Sequence, residues 1–375
     1  MTISARDLHA DPSAPGNGGA RGRTADGLFA HVTPNWFAAV MGTGIVATAT
    51  MSVAGERLRT EATMMWLLAT VLLVAVSIAF GTHWLVHRER ARGYADHPVV
   101  ALFYGALPMA ILTVGCGAVS LGGPVLGVTI SVWVGVGLWV LGTLVGLLTC
   151  SVIPLRMLTG SLPTTLPVPA WLMPVVPPMV SASTGAVLLP HLHGVAREVL
   201  LWSCYGLFVI SLIAGAVVLR MVARRLMFDG WSEVQATPTV WISLGILGQS
   251  ITAANLLGDR SALVLTGDRS GLAAMLDDFG IVFGSIMVLV VAAVFAGATA
   301  MTVRAARRGL RYSLSWWSFT FPVGTCVTGT AALAHAAGLP LLHIVSAVLL
   351  LLLVAAWTIV AVLTVRHAPR WIAGP

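Results

Sequence analysis

The chain has 375 residues, of which 57% are hydrophobic and only 9% charged, with a mean hydropathy of +0.91. A soluble domain carries about 25% charged residues, so this composition excludes a water-soluble globule and suits a solvent that is itself apolar. The net charge of +7 comes with no lysine at all, and the arginines cluster between apolar stretches, which speaks for membrane topology and against a nucleic-acid-binding face.

Residues 1–30 are rich in Gly, Ala, Asp, Ser and Pro and lack the basic-then-apolar order of a signal peptide, so they read as a disordered cytoplasmic tail. Ten apolar spans follow, near 34–53, 63–86, 98–120, 125–155, 168–189, 197–220, 238–257, 277–302, 316–336 and 341–365. Each reaches the roughly 20 residues that cross a hydrocarbon core of about 30 Å. Residues 31–367 thus read as one transmembrane transport domain and 368–375 as a short cytoplasmic tail. Short loops make neighbouring spans antiparallel. The predicted fold is an all-α integral membrane protein of ten helices in five hairpins.

Arginine bias sets the orientation. With the N-terminus inside, the cytoplasmic segments hold 16 arginines (among them Arg88, Arg90, Arg92, Arg156, Arg224, Arg225, Arg304, Arg307 and Arg308), and the outer segments hold five of the 21. Both termini are therefore expected in the cytoplasm, with the protein in the cell membrane.

Odd and even spans differ. Proline falls inside odd spans, at Pro108, Pro174, Pro177, Pro178 and Pro322, whereas Pro154 lies near the end of an even one. Odd spans also collect Gly, Ser, Thr and Gln, as in "PPMVSASTGA" and "SLGILGQSIT"; the second span, "MMWLLATVLLVAVSIAF", is plainly aliphatic, although the fourth is Gly-rich. A mid-helix proline frees a carbonyl that lipid cannot satisfy but a buried helix or a watery lumen can. The odd helices are therefore expected to form an inner pore ring, with the even ones outside. Small residues also permit tight helix packing without any lumen. The candidate pore-lining residues are Thr43, Pro108, Ser181, Thr184, Gln249, Ser250, Pro322, Thr325 and Thr328.

Charge is scarce along this path. Spans one, three, five and seven carry no ionisable residue in their cores, and His335 lies near the outer end of the ninth. That argues against an acidic proton relay and against the carboxylate rings of a cation pore. Neutral hydroxyl and amide donors suit an anion held weakly enough to leave, and arginines at the cytoplasmic mouth would concentrate it. Cys116, Cys150, Cys204 and Cys326 lie in apolar spans without a C-x-x-C pattern, so neither a disulfide framework nor a zinc site is expected. His191 and His193 alone make no metal site, Asp277 and Asp278 read as helix-terminal carboxylates, and no cofactor is implied.

Four segments carry a resemblance: "PNWF" through "MGTGI" (34–45), "PVVPPMVSASTGA" (174–186), "PTVWISLGILGQS" (238–250) and "WWSFTFPVGT" (316–325). Together they resemble the tellurite-resistance/dicarboxylate transporter family, within the voltage-dependent anion channel superfamily, which includes bacterial tellurite-resistance proteins, plant slow anion channels, the yeast malate permease and fungal sulfite exporters. The resemblance implies ten helices in five hairpins, odd helices lining a pore, and a homotrimer. It also implies that Phe321, before the ninth-span proline, plugs the pore near mid-membrane. On a helix Phe321, Gly324, Thr325 and Thr328 share one face by three-and-four spacing. One departure is Ile246, where relatives often have proline, so a milder local kink is expected.

The leading functional reading is passage of small anions, whether sulfite-like oxyanions, nitrate, chloride or C4-dicarboxylates, by a channel or exporter and not by an enzyme. A proton-linked malate carrier is the main alternative; it would be expected to use a mid-span arginine or histidine, and none is present. A membrane enzyme would need a buried His/Glu or Ser/His cluster, and a mere scaffold would need no polar lumen.

Overall fold

The computed structural model describes residues 29–163, 166–228, 230–231 and 233–372; the expected tail at 1–28 and the last three residues lie outside them. The described residues contain helices and turns and no strand. Ten long helices are numbered here in chain order: α1 (Phe37–Ala54), α2 (Arg59–Val86), α3 (Ala106–Leu121), α4 (Val128–Leu158), α5 (Pro177–Leu188), α6 (Gly194–Phe228), α7 (Ile242–Ser261), α8 (Ser270–Arg307), α9 (Phe321–Ala337) and α10 (Pro340–Ile372). The last runs into the stretch expected as a tail. Two short helices, Arg88–Asp96 and Gly123–Leu126, lie between them.

Seven helical stretches among the described residues are long and apolar enough to cross a membrane. The first, Pro34–Val86, holds both α1 and α2, which part at Gly55, a residue with φ of 55° that favours glycine. The 12 residues of α5 and the 17 of α9 fall short of a full span. Both begin late because the chain ahead of them runs through a 3-10 turn, Pro169–Leu172 before α5 and Leu314–Phe319 before α9.

That observation corrects the expectation of mid-helix proline kinks. Pro177 and Pro178 are the first two residues of α5, Pro322 is the second of α9, and Pro108 is the third of α3. In a first turn the missing N–H would have had no helical partner, so proline costs no ladder hydrogen bond there. The break is instead a change of helix type. All five odd helices are entered through a 3-10 segment, Pro34–Trp36, Val100–Gly105, Pro169–Leu172, Thr237–Trp241 and Leu314–Phe319.

Burial separates the two populations. In its most apolar window α7 is 94% buried, whereas α8 is 17% buried and presents Val282, Ile286 and Leu289 outward. A helix apolar all round but buried on one side has its free face toward lipid. The odd helices touch in a closed cycle: α1 meets α3, α3 meets α5, α5 meets α7, α7 meets α9, and α9 returns to α1. Each also packs against the even helix that follows it.

Tryptophans fasten the outer helices to the inner ones. The indole N–H of Trp66 on α2 donates to the Val114 carbonyl of α3 at 3.0 Å, that of Trp139 on α4 to the Ser181 carbonyl of α5 at 2.8 Å, and that of Trp357 on α10 to Thr43 Oγ1 of α1 at 3.0 Å. Such a ring offers large apolar contact and one polar handle, which must find a partner when buried.

Candidate anion pathway

Three cavities follow one another along the inner helices. The first, about 20 Å3, lies at the N-terminal ends of α1, α3, α7 and α9, among Met41, Met109, Ile242 and Pro322. The second, about 260 Å3, lies further along the same helices and touches α5 through Ser183 and Thr184. The third, about 340 Å3, continues toward the C-terminal ends of α7 and α9. Phe321 lines both the first and the second cavity, and is 2% exposed. Phe321 therefore borders both. Thr252 and Thr328 are shared by the second and third.

Phe321 owes its place to a helix start. Thr320, with φ −99° and ψ −73°, ends the 3-10 segment, and α9 begins with Phe321 followed by Pro322. The side chain thus projects from the first turn of a helix, where backbone amides lack helical acceptors and the positive end of the dipole lies.

The wall of the second cavity is neutral: no Asp, Glu, Lys, Arg or His lines it. Its hydroxyls turn back onto their own helices. Thr113 Oγ1 donates to the Met109 carbonyl at 2.7 Å, Thr184 Oγ1 to that of Val180 at 2.7 Å, and Thr252 Oγ1 to that of Gly248 at 3.2 Å. Gln249 Nε2 donates to Ser183 Oγ, while Gln249 Oε1 is buried without a partner among the described residues. Nε2 makes no other hydrogen bond among the described residues, so its second N–H is unengaged there. A hydroxyl can leave its carbonyl for a passing anion at the net cost of about one hydrogen bond, roughly 1 kcal/mol.

The third cavity is different. Asp259, Arg260, Asp277 and His335 line it, with Asn255 at its base, and Arg260 Nε lies 3.2 Å from Asp259 Oδ2. Among the described residues that line the three cavities, the charged ones belong to this third one.

Among the candidates read from the sequence, Thr184, Gln249, Pro322, Thr328 and Phe321 line these cavities. The other five do not. Thr43 faces Trp357 of α10, and Ser181 accepts from Thr143 of α4 at 3.0 Å. Pro108 lies against Gly146 of α4, Ser250 donates to the Leu247 carbonyl at 2.7 Å, and Thr325 donates to that of Pro322 at 2.7 Å. The face expected to join Phe321, Gly324, Thr325 and Thr328 is split, because Gly324 is closed over by Ile45 of α1. Sequence reasoning missed Thr48, Ser52, Thr113, Ser120, Ser183 and Thr252. Their signal is a spacing of three and four, with Met41, Ile45, Thr48 and Ser52 on α1, and Met109, Thr113, Cys116 and Ser120 on α3.

Long apolar helices, a lipid-facing sleeve and a neutral path through the inner helices define a multi-pass membrane protein of the channel or transporter class. The model of the voltage-dependent anion channel family matches residues 31–365, and the chain belongs to that family. An uncharacterized transporter of Methanocaldococcus jannaschii is 25% identical over 313 residues, covering 81% of this chain and 84% of the relative. A sulfite efflux pump of Trichophyton rubrum is 25% identical over 358 residues, covering 92% and 94%, and that of Arthroderma benhamiae matches to the same extent. The family and these relatives support anion transport across a membrane, the relatives being named as a transporter and as efflux pumps.

Proposed function

We propose that the chain passes small anions along the three cavities, with Phe321 as the gate between the first two. The observation that carries this reading is the position of Phe321, shared by two cavities on a path whose central part bears no charged side chain. In this reading all ten helices of residues 31–367 cross the cell membrane as five hairpins, odd helices inside, with both termini cytoplasmic. The short α5 and α9 complete their crossings through their 3-10 lead-ins. The family resemblance supports a homotrimer with one path per protomer.

Sulfite-like oxyanions rank first among the substrates, since the fungal relatives are named as sulfite efflux pumps; nitrate, chloride and C4-dicarboxylates such as malate follow. A dicarboxylate would need a cation to hold its second carboxylate, and the second cavity offers none. The test is flux into liposomes carrying the purified chain, measured for sulfite, nitrate, chloride and malate beside Phe321→Ala. Flux of a monovalent or sulfite anion, raised in the variant, supports the reading. Equal flux in a folded variant removes Phe321 as the gate, and proton-dependent movement of malate alone makes the chain a dicarboxylate carrier.

A further inference from the structure

A fourth cavity, of about 290 Å3, shares no lining residue with the path. It lies between the C-terminal ends of α6 and α8 and the chain that leads into α7, lined by Leu226, Trp231, Thr237, Met301, Arg304 and Arg308 among others. Arg304 ends an uninterrupted uncharged run from Phe279 to Val303, so the cavity sits at the level where apolar helix gives way to charge. For a helix of this kind that level is the membrane–water boundary.

Arg304 lies in the last turn of α8 and Arg308 is the residue that caps it, and both line the cavity. Neither makes an ion pair or side-chain hydrogen bond among the described residues. The neighbouring acid Glu233 lies 2.8 Å from Arg225. Two like charges close together repel each other, and an anionic group between them relieves that repulsion.

The opposite wall is fixed in advance. Trp231 donates its indole N–H to Thr237 Oγ1 at 3.2 Å, and the Arg225 guanidinium lies 5.4 Å from the ring centroid. Gln235 ties this loop to the one after α8, donating to the Gly309 carbonyl at 3.2 Å and accepting from the Arg311 amide at 2.9 Å. A preset wall lowers the ordering cost of a ligand. Leu226 and Met301 add an apolar side.

We propose that this cavity is a binding site for a net-anionic phosphate group, gripped by Arg304 and Arg308 and roofed by Trp231. Guanidinium forks match phosphate oxygens in geometry and charge. The group comes either from an anionic lipid headgroup at the boundary or from a soluble phosphate.

The test uses the purified full chain in detergent, with melting temperature followed as phosphatidylglycerol, phosphatidylcholine, inorganic phosphate or pyrophosphate is added. Saturable stabilisation by phosphatidylglycerol, absent with phosphatidylcholine, supports a lipid source; saturation by phosphate or pyrophosphate supports a soluble one. Arg304→Gln with Arg308→Gln should need about tenfold or more of the active probe, and Arg304→Lys with Arg308→Lys should keep most of the response. Should the double glutamine variant fail to fold, Arg308→Gln alone is read in its place, with a smaller shift. The proposal falls if none of phosphatidylglycerol, phosphate and pyrophosphate stabilises the chain more than phosphatidylcholine or an equal concentration of chloride does. It falls equally if the glutamine variant responds like the wild type.

Discussion

Thr252 and Thr328 stand 2.9 Å apart, hydroxyl to hydroxyl, across the seam between α7 and α9. Both line the second and third cavities, so this pair marks the point where the neutral path opens toward the charged mouth. One of the two hydroxyls can turn to a passing anion while the other keeps its own helical acceptor. Thr328→Val keeps the volume and removes the donor. Loss of one hydrogen bond, about 1 kcal/mol, should lower anion flux in liposomes roughly fivefold and leave the melting temperature almost unchanged.

The same two helices touch through glycine. A Cβ on Gly248 would lie 2.6 Å from the Thr325 carbonyl carbon and 2.7 Å from the Cys326 amide nitrogen, and one on Gly329 would lie 2.6 Å from the Gly248 carbonyl oxygen. These neighbours are backbone, which cannot rotate away. In a membrane, close backbone approach is a main source of helix association. Gly248→Ala should therefore cost about 1–3 kcal/mol by overpacking, read as a lower melting temperature in detergent. Gly297→Ala, on α8 with nothing within 4 Å, should be neutral.

The division into inner and outer helices was legible because it is a matter of composition. Gly, Ser, Thr and Pro concentrate where helices contact helices, and Val, Leu and Ile where they contact lipid. The lumen face was less legible. An inner helix is buried on every side, so polarity alone does not tell Thr184 from Ser181. Ser181 accepts from Thr143, and Thr43 from Trp357; both partners come from outer helices far away in the chain. Only the arrangement of neighbours assigns each hydroxyl to a packing contact or to a cavity. Prolines misled for a related reason: their residue type reports a break but not whether it falls mid-helix or at a start.

Outside the membrane-spanning helices, His97 links pH to stability. Its Nδ1 accepts the backbone amides of Val99 and Val100, at 3.2 and 3.3 Å, at the entry to the 3-10 segment before α3. Burial pushes its pKa below the usual 6.5. The fold thus favours the neutral ring, and the unfolded chain takes up the proton first as pH drops. The contribution is full above about 6.5, and it is lost as pH falls from there through the lowered folded value. The melting temperature should decline between pH 7 and pH 5, and His97→Asn, an acceptor that does not titrate, should flatten that part of the profile. Asp96, which pairs with Arg156 at 2.6 Å, is present in both proteins and cancels in the comparison.

Gln249 offers the sharpest test of the path itself. It lines the second cavity, donates one amide N–H to Ser183 Oγ and leaves another unengaged in a wall with no cation. Gln249→Leu removes the donor at similar size and should lower flux about fivefold, by the loss of one hydrogen bond. Gln249→Glu keeps the shape and adds a negative charge. Repulsion between unit charges 4 Å apart is about 4 kcal/mol at an effective dielectric of 20, so anion occupancy should fall on the order of a thousandfold. The two variants together separate a steric effect from an electrostatic one, because leucine and glutamate both fill the site. Liposome flux at pH 8 that is equal in Gln249→Glu and the wild type, with folding intact, would show that anions do not pass this residue. The cavity between Phe321 and Thr328 would then be a packing void, and the path would have to be sought elsewhere in the protein.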